Sequence, residues 1–429
     1  MDLLTANDRA GEYPQSYYAA TATPLDPFPA AKGAITCDVC VVGGGYSGLS
    51  AALHLAEAGY DVVVLDAQRV GFGASGRNGG QVGTGQRIGQ DTLEDMVGKD
   101  HAHKLWDLSL ESVNLVRDLI SKHNLDCGWK DGIVEADHRA KFVRHSHEYV
   151  DKLRNEYNYD LITPLSADEI RHKVNSPAYH GGSLDMGSGH LHPLRYALGL
   201  ARAARDAGVR IYEQSKVTRV LQDAKVTTKD ADIKSEYVIM GCNGYLGALN
   251  RDTAARVMPI NNFIVATEPL TNIENLIRDK VAVADSKFVI NYFRPSDDNR
   301  LLFGGGESYG YRFPKDIAAT VRKPMLQIFP QLKDVRIDYA WGGTLGITMN
   351  RMPHFARVSD KVFSISGYSG HGVAMATLAG KLAAQAVAGQ AEKFDIFATV
   401  PSPRFPGGAG LRTPLLALAM LWYSLRDRL

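Results

Sequence analysis

Apolar residues run almost without a break from Cys37 to Val42, and most of them are β-branched. Such a run, bounded by turn residues, predicts a strand buried on both faces. Gly43-Gly44-Gly45-Tyr46-Ser47-Gly48 follows, then Leu49 to Ala58, a stretch of strong helix formers that ends at Gly59. Gly59 suits a helix C-cap. Val62 to Leu65 predicts a second strand, ending at Asp66. Later in the chain, Leu194 to Ala207 has the spacing of an amphipathic helix. Val209 to Tyr212, Val217 to Leu221 and Tyr237 to Met240 predict strands, the last closed by Gly241-Cys242-Asn243-Gly244. Lys287 to Phe293 and Leu301 to Phe303 alternate as strands do. Lys361 to Ser366 predicts a final strand and Ala374 to Gly389 a helix of small residues. The last apolar run, Leu415 to Trp422, is too short to span a bilayer. It predicts a terminal helix packed on the body, with a surface-lying helix beside Arg426 and Arg428 as the other reading.

The front of the chain therefore reads strand, G-x-G-x-x-G, helix, strand, acid. Gly43 makes the tight turn, Gly45 lets the backbone approach a pyrophosphate, and Gly48 lets the helix pack on the strand. The helix N-terminus offers N–H groups to the phosphates. Asp66, 23 residues past Gly43, is placed to accept from ribose hydroxyls. This unit predicts dinucleotide binding without saying which dinucleotide.

Two more segments favour FAD over NAD. Gly71-Phe72-Gly73-Ala74-Ser75-Gly76-Arg77-Asn78-Gly79-Gly80-Gln81 is small enough to run closely along a bulky flat ligand. Gly367-Tyr368-Ser369-Gly370-His371-Gly372-Val373 lies between the last strand and the last small-residue helix. The positive end of that helix would stabilise negative charge on a reduced flavin. A nicotinamide dehydrogenase on the same front unit leaves this second segment unexplained.

Composition narrows the remaining classes. The chain has 429 residues, 45% of them hydrophobic, with a net charge of +1. That size calls for more than one core, and the charge gives no field toward nucleic acid. Cys37, Cys40, Cys127 and Cys242 are too few for a disulfide framework, which points to a reducing, cytoplasmic setting. The C-x-x-C pair runs into a strand, where its thiols are expected on opposite faces rather than as a redox pair. The first 34 residues lack the apolar stretch of a secretory signal. The histidine pairs at 101/103, 145/147 and 190/192 lack partners at ligand spacing, so no metal is expected.

These segments, with His190-Leu191-His192-Pro193-Leu194, resemble the D-amino-acid-oxidase type of FAD-dependent oxidoreductases. A narrower likeness runs along nearly the whole chain, from Ser16-Tyr17-Tyr18-Ala19-Ala20 to Tyr423-Ser424-Leu425-Arg426-Asp427-Arg428-Leu429. Asp66 departs from the Glu more usual at its position in that type. The resemblance implies oxidation of an amine C–N bond by hydride transfer to flavin N5, giving an imine that hydrolyses. The implied substrate is gamma-glutamylputrescine or a related polyamine derivative, with oxygen or another acceptor taking the electrons. A small amino acid as substrate, or a flavoprotein with a binding role only, are the alternatives. No Cys follows Cys242 and no His lies in Ser75 to Gln81, so the FAD is expected to be non-covalent.

The expected fold is α/β plus α+β: a discontinuous Rossmann-like FAD-binding domain with an antiparallel-sheet substrate domain. After an N-terminal extension at 1–34, the cofactor domain takes 35–90, 181–253 and 346–400. The substrate domain takes 91–180 and 254–345, and 401–429 forms a tail and helix. The residues expected to hold the cofactor are Gly43, Gly45, Tyr46, Ser47, Gly48, Asp66, Ala74, Ser75, Arg77, Asn78, Gly79, Gly80, Gln81, Val217, Gly241, Asn243, Gly370, His371, Gly372 and Val373. Those expected in catalysis are His371, Tyr292 and Arg351. Arg294, His354, Trp341 and Asp185 are weaker candidates for the substrate wall. The flavin carries the hard chemistry, so no dedicated acid–base pair is required.

Overall fold

Val39–Val42 and Val62–Leu65 are buried at every position because their sheet is covered on both sides. In the computed structural model, which describes residues 2–308 and 310–407, this sheet has six strands. Their order is His354–Ser359, Val362–Ser366, Tyr237–Met240, Val39–Val42, Val62–Leu65 and Arg210–Tyr212. All neighbours are parallel except the first pair. Alternation then sorts the side chains. Val39, Val41, Val62, Val64 and Ile239 face one core, with helices Tyr46–Glu57, Pro193–Asp206 and Gly372–Val387. Cys40, Val42, Val63, Leu65, Val238 and Met240 face another, shared with a small sheet of Gly33–Thr36, Ala231–Lys234, Lys225–Thr227 and Arg219–Val220.

The thiols depart from expectation. Strand pairing starts only at Val39, so Cys37 lies outside the strand and packs on the same core as Cys40. Burial pushes the Cys37 thiol up to about 12. All four cysteines are free.

A second sheet, largely antiparallel, orders Ile337–Ile347, Met258–Thr267, Leu301–Ser308, Tyr292–Pro295, Ala282–Asp285, Lys130–Ala136, Gly182–His190 and Gln81–Val82, with Ile162–Leu165 beside Gly182–His190. Gln81–Val82 and Gly182–His190, expected in the cofactor domain, are strands of this sheet. Helix Lys99–Lys122, expected in the substrate domain, packs instead into the core of the parallel sheet. The strand expected over Lys287 to Phe293 shrinks to Tyr292–Pro295. The reason is Asp285, whose carboxylate accepts from the backbone N–H groups of Lys287 and Asn291 and from Asn291 Nδ2, folding 286–291 into a loop.

The N-terminal extension is a strap rather than a free tail. Gly11 N–H donates to Gln68, Asp8 pairs with Arg77 at 2.9 Å, Phe313 N–H donates to Asn7, and Tyr17 donates to Asp298. Tyr18 is completely buried. The expected helix at 415–422 and the closing segment 423–429 lie outside the described residues. Among the described residues, no helix is long and apolar enough to cross a membrane, and no His, Cys, Asp and Glu group is set to hold a metal.

Candidate active site

Gly48 sits where the first helix meets the strand it follows. A Cβ there would lie 1.8 Å from the Gly43 carbonyl oxygen. Gly380 plays the matching part on the last helix, where a Cβ would meet Ser47 O at 2.3 Å. Ser50 Oγ donates to Thr377 O across the same contact. The two helices therefore bring the turn at 43–48 and the loop at 367–372 side by side.

Beside that turn is a cavity of about 620 Å³, a usual size for a small-molecule site. Gly43, Gly45, Ser47, Asp66, Ala74, Ser75, Val217, Gly241 and Asn243 line it, all singled out from the sequence. Cys242, Tyr245 and Tyr368 also line it and were not singled out, although each directly follows a glycine of a segment read as a tight turn. Ser75 Oγ accepts from Tyr46 N–H at 3.0 Å, and a Cβ on Gly45 would lie 2.8 Å from that oxygen. Asp66 accepts one backbone N–H on each oxygen, from Gly44 at 2.6 Å and Gln68 at 2.7 Å. A carboxylate has about four acceptor positions, so two remain for ribose hydroxyls. The glycine cradle, the helix N-terminus and this acid together fit a dinucleotide.

Other expected cofactor residues have side chains engaged within the protein. Tyr46 Oη donates to Pro193 O. Arg77 donates to Phe72 O and pairs with Asp8. Asn78 ties its own loop through Ala74 O, Ser75 O and Gly80 N. Gln81 Nε2 reaches Val283 O in the large sheet, and Val373 is buried. Gly79 and Gly80 let that sheet approach: a Cβ on Gly79 would strike the Tyr292 ring at 2.6 Å, and one on Gly80 would meet Leu191 O at 2.1 Å.

Burial raises the Asp66 carboxyl to about 6. An unfolded Asp titrates near ~3.9, so the folded apoprotein holds this proton more tightly. Its contribution to apoprotein stability is present below that unfolded value and is lost as pH rises toward 6. Ligand hydroxyls need the ionised acid, so cofactor affinity runs the opposite way. Titrating apoprotein with FAD by fluorescence quenching is expected to show affinity falling roughly fivefold from pH 6 to pH 5. Asp66→Asn should bind weakly at both pH values; a wild-type affinity that is flat with pH would contradict the role.

Tyr292 and Arg294 meet the loop at Gly79 and Gly80, and His371 and Asp185 meet the chain at Thr84. Tyr292 is pinned between Gly79 and Gly304 and donates to Asn262 Oδ1. Arg294 donates to Gly79 O at 2.8 Å and Tyr18 Oη at 3.3 Å, so its guanidinium holds the loop rather than a substrate. His371 Nε2 lies 3.1 Å from Thr84 O. A carbonyl only accepts, so Nε2 carries the hydrogen and Nδ1 is left as a buried lone pair with no partner. Burial, then the nearby Arg87 charge, lowers His371 to about 4, so the ring is neutral at physiological pH. Asp185 accepts from Tyr159 Oη, Ser188 Oγ, Thr84 Oγ1 and Gly187 N–H. It fixes the strand end that carries Thr84 and is not open to a substrate cation. Trp341 is buried and donates to Arg77 O. His354 begins an edge strand, and burial lowers it to about 4. Arg351 occupies a turn with φ of 65°, its guanidinium over the Phe288 ring. The guanidinium set against the Gly367–Gly372 loop is that of Arg87: a Cβ on Gly370 would lie 2.3 Å from Arg87 Cδ. Nothing local to Gln86-Arg87-Ile88 marks it.

The family described as DAO: FAD dependent oxidoreductase matches residues 38–386, most of the chain. The chain belongs to this family. It is an FAD-dependent amine oxidoreductase. The gamma-glutamylputrescine oxidoreductase of Escherichia coli (strain K12) is 43% identical over 426 residues, covering 97% of this chain and 99% of that protein. A probable oxidoreductase OrdL of Rhizobium meliloti (strain 1021) is 40% identical, covering 96% and 97%. Among solved structures, glycine oxidase from Geobacillus kaustophilus superposes with a TM-score of 0.71 at 21% identity, covering 83% of this chain and 95% of that one. The mixed α/β architecture is thus that of the D-amino-acid-oxidase type.

Proposed function

We propose that this enzyme oxidises gamma-glutamylputrescine, or a closely related aminoalkyl amide, at an amine C–N bond. The observation that carries this reading is the 43% identity to the Escherichia coli protein of that name, extending over 97% of the chain. The geometry supports it. Bound FAD supplies the hydride acceptor. The chain's own residues position and shield. Gly43, Gly45, Asp66 and Ser75 hold the dinucleotide, with no covalent tether. The N-terminus of helix Gly372–Val387 presents its positive end beside His371, where negative charge is stabilised. Neutral His371 adds no charge of its own. Tyr292 walls the space from the sheet side and keeps water from the reacting carbon. Arg351, at the rim turn, does not enter this scheme.

An anaerobic titration tests the substrate. Gamma-glutamylputrescine is expected to bleach the flavin band within the mixing time, with putrescine, spermidine and small amino acids slower by at least about tenfold. Fast bleaching by glycine or another amino acid, with none by gamma-glutamylputrescine, would replace this substrate. Following the reoxidation of the reduced enzyme by oxygen separates an oxidase from a dehydrogenase that needs another acceptor.

A further inference from the structure

The large sheet turns one face toward the flavin domain, and its register places two carboxylates there. Val134 and Ala136 point into the core behind the sheet, so Glu135 points the other way. Glu135 pairs with Ala284, Ala284 with Tyr292, and Tyr292 with Gly304, so Glu135 and Tyr292 share a face. Glu307 pairs with Asn262, whose side chain accepts from Tyr292, and so joins that face. Glu135 is exposed at its tip although protein lies around it, which fits a side chain lining a recess. Arg87 closes the space from the other side, against Gly370. It lies within electrostatic reach of both glutamates. Among the described residues it is half-buried and makes neither a hydrogen bond nor an ion pair within 4.0 Å. A guanidinium left this way is poised for an anionic ligand group.

We propose that Glu135, backed by Glu307, receives an alkylammonium group of the substrate while Arg87 receives an anionic group, so that the pocket selects molecules bearing both signs and one net positive charge. The inference rests on the amine-oxidising reading above and deepens it. Two carboxylates facing one guanidinium leave one negative charge, and neutral His371 does not alter it. A simple amino acid zwitterion would leave that charge unbalanced in a low-dielectric space. A free diamine would overbalance it and leave Arg87 without a partner. Gamma-glutamylputrescine, with two ammonium groups and one carboxylate, balances it. Burial lifts the Glu135 carboxyl to about 7, against the lowering effect of Arg87 and with Asp285, Asp185 and Asp137 adding to the rise. The ammonium-binding form is therefore the one present at higher pH.

The test is the half-saturation concentration for flavin reduction by the anaerobic holoenzyme at pH 8.5, with gamma-glutamylputrescine and with putrescine. Glu135→Gln is expected to raise the value for both about 10- to 100-fold. Arg87→Gln should raise it by a similar factor for gamma-glutamylputrescine and leave putrescine unchanged or tighter. In the unsubstituted enzyme the value should climb as pH falls through about 7, and Glu135→Gln should abolish that climb. Glu307→Gln, expected to give a smaller rise of the same sign, serves if Glu135→Gln purifies without flavin. An unchanged half-saturation in both glutamate variants, or equal weakening of both amines by Arg87→Gln, overturns the proposal. If gamma-glutamylputrescine fails to reduce even the unsubstituted enzyme, the substrate reading falls separately. The charge rule is then tested with whichever amine does reduce it.

Discussion

Gly48→Ala is expected to abolish FAD retention. The added methyl would lie 1.8 Å from Gly43 O and 3.0 Å from Gly43 C, both backbone atoms, with Val41 Cγ1 at 3.2 Å behind them. Neither side can yield cheaply. Gly43 is held at φ 108°, its N–H donates to Leu65 O, and the first helix is packed against Gly380. The strain is relieved only by lifting the helix N-terminus off the strand, which spreads the cradle that phosphates must enter. Overpacking of this kind costs about 1–3 kcal/mol in ordinary cores, and backbone atoms place this site at the upper end. The purified variant should be colourless, with an absorbance ratio of flavin to protein at least about tenfold below the unsubstituted enzyme, and a lower unfolding midpoint. A yellow protein of unchanged midpoint would show that the turn tolerates a methyl and that the packing role of Gly48 is misjudged.

The second large effect is expected at Asp185, which has no ion pair within 4.0 Å among the described residues. Its carboxylate gathers four donors inside the protein and is 7% exposed. Asparagine keeps the shape but turns one acceptor into a donor. With its oxygen kept toward Tyr159 Oη and the Gly187 N–H, the new amide N–H faces Ser188 Oγ and Thr84 Oγ1, whose hydroxyls must turn away and lose the carboxylate they donate to. Leaving buried donors unmet costs on the order of 3 kcal/mol. Thr84→Val removes a single donor and should cost about 1 kcal/mol. The comparison reads on function as well, because Thr84 O anchors His371. Asp185→Asn should therefore lower the chemical-denaturation midpoint more than Thr84→Val and also slow flavin reduction at saturating amine. Equal midpoints for the two variants would sink the network argument.

The residues legible in the sequence share one property: their partners are near them along the chain. The turn at 43–48, the helix after it, the strand at 62–65 and Asp66 form one local unit, with Asp66 reaching back only to Gly44. Strand period and glycine sterics are local rules, and they place these elements to within a few residues. The loop at 367–372 was legible for the same reason, lying between a strand and a helix with clear patterns. Lys287 to Phe293 misled because alternation alone does not register the pull of one carboxylate on the loop amides.

What the chain determined by itself is thus the cofactor half: the glycines that only a close-approaching backbone requires, the acid at the strand end, and the absence of a tethering Cys or His at the expected places. The substrate half was decided by tertiary structure. Arg87 matters because it lies against Gly370, and no pattern near Arg87 contains that contact. Glu135 shares a face with Tyr292 because strands from the 130s, the 280s and the 290s align in one register. The polar strap at the N-terminus became structural through distant contacts such as Asp8 on Arg77 and Tyr18 in the core. Local sterics are written in adjacent residues, whereas charge recognition depends on which distant residues the pairing of strands brings face to face.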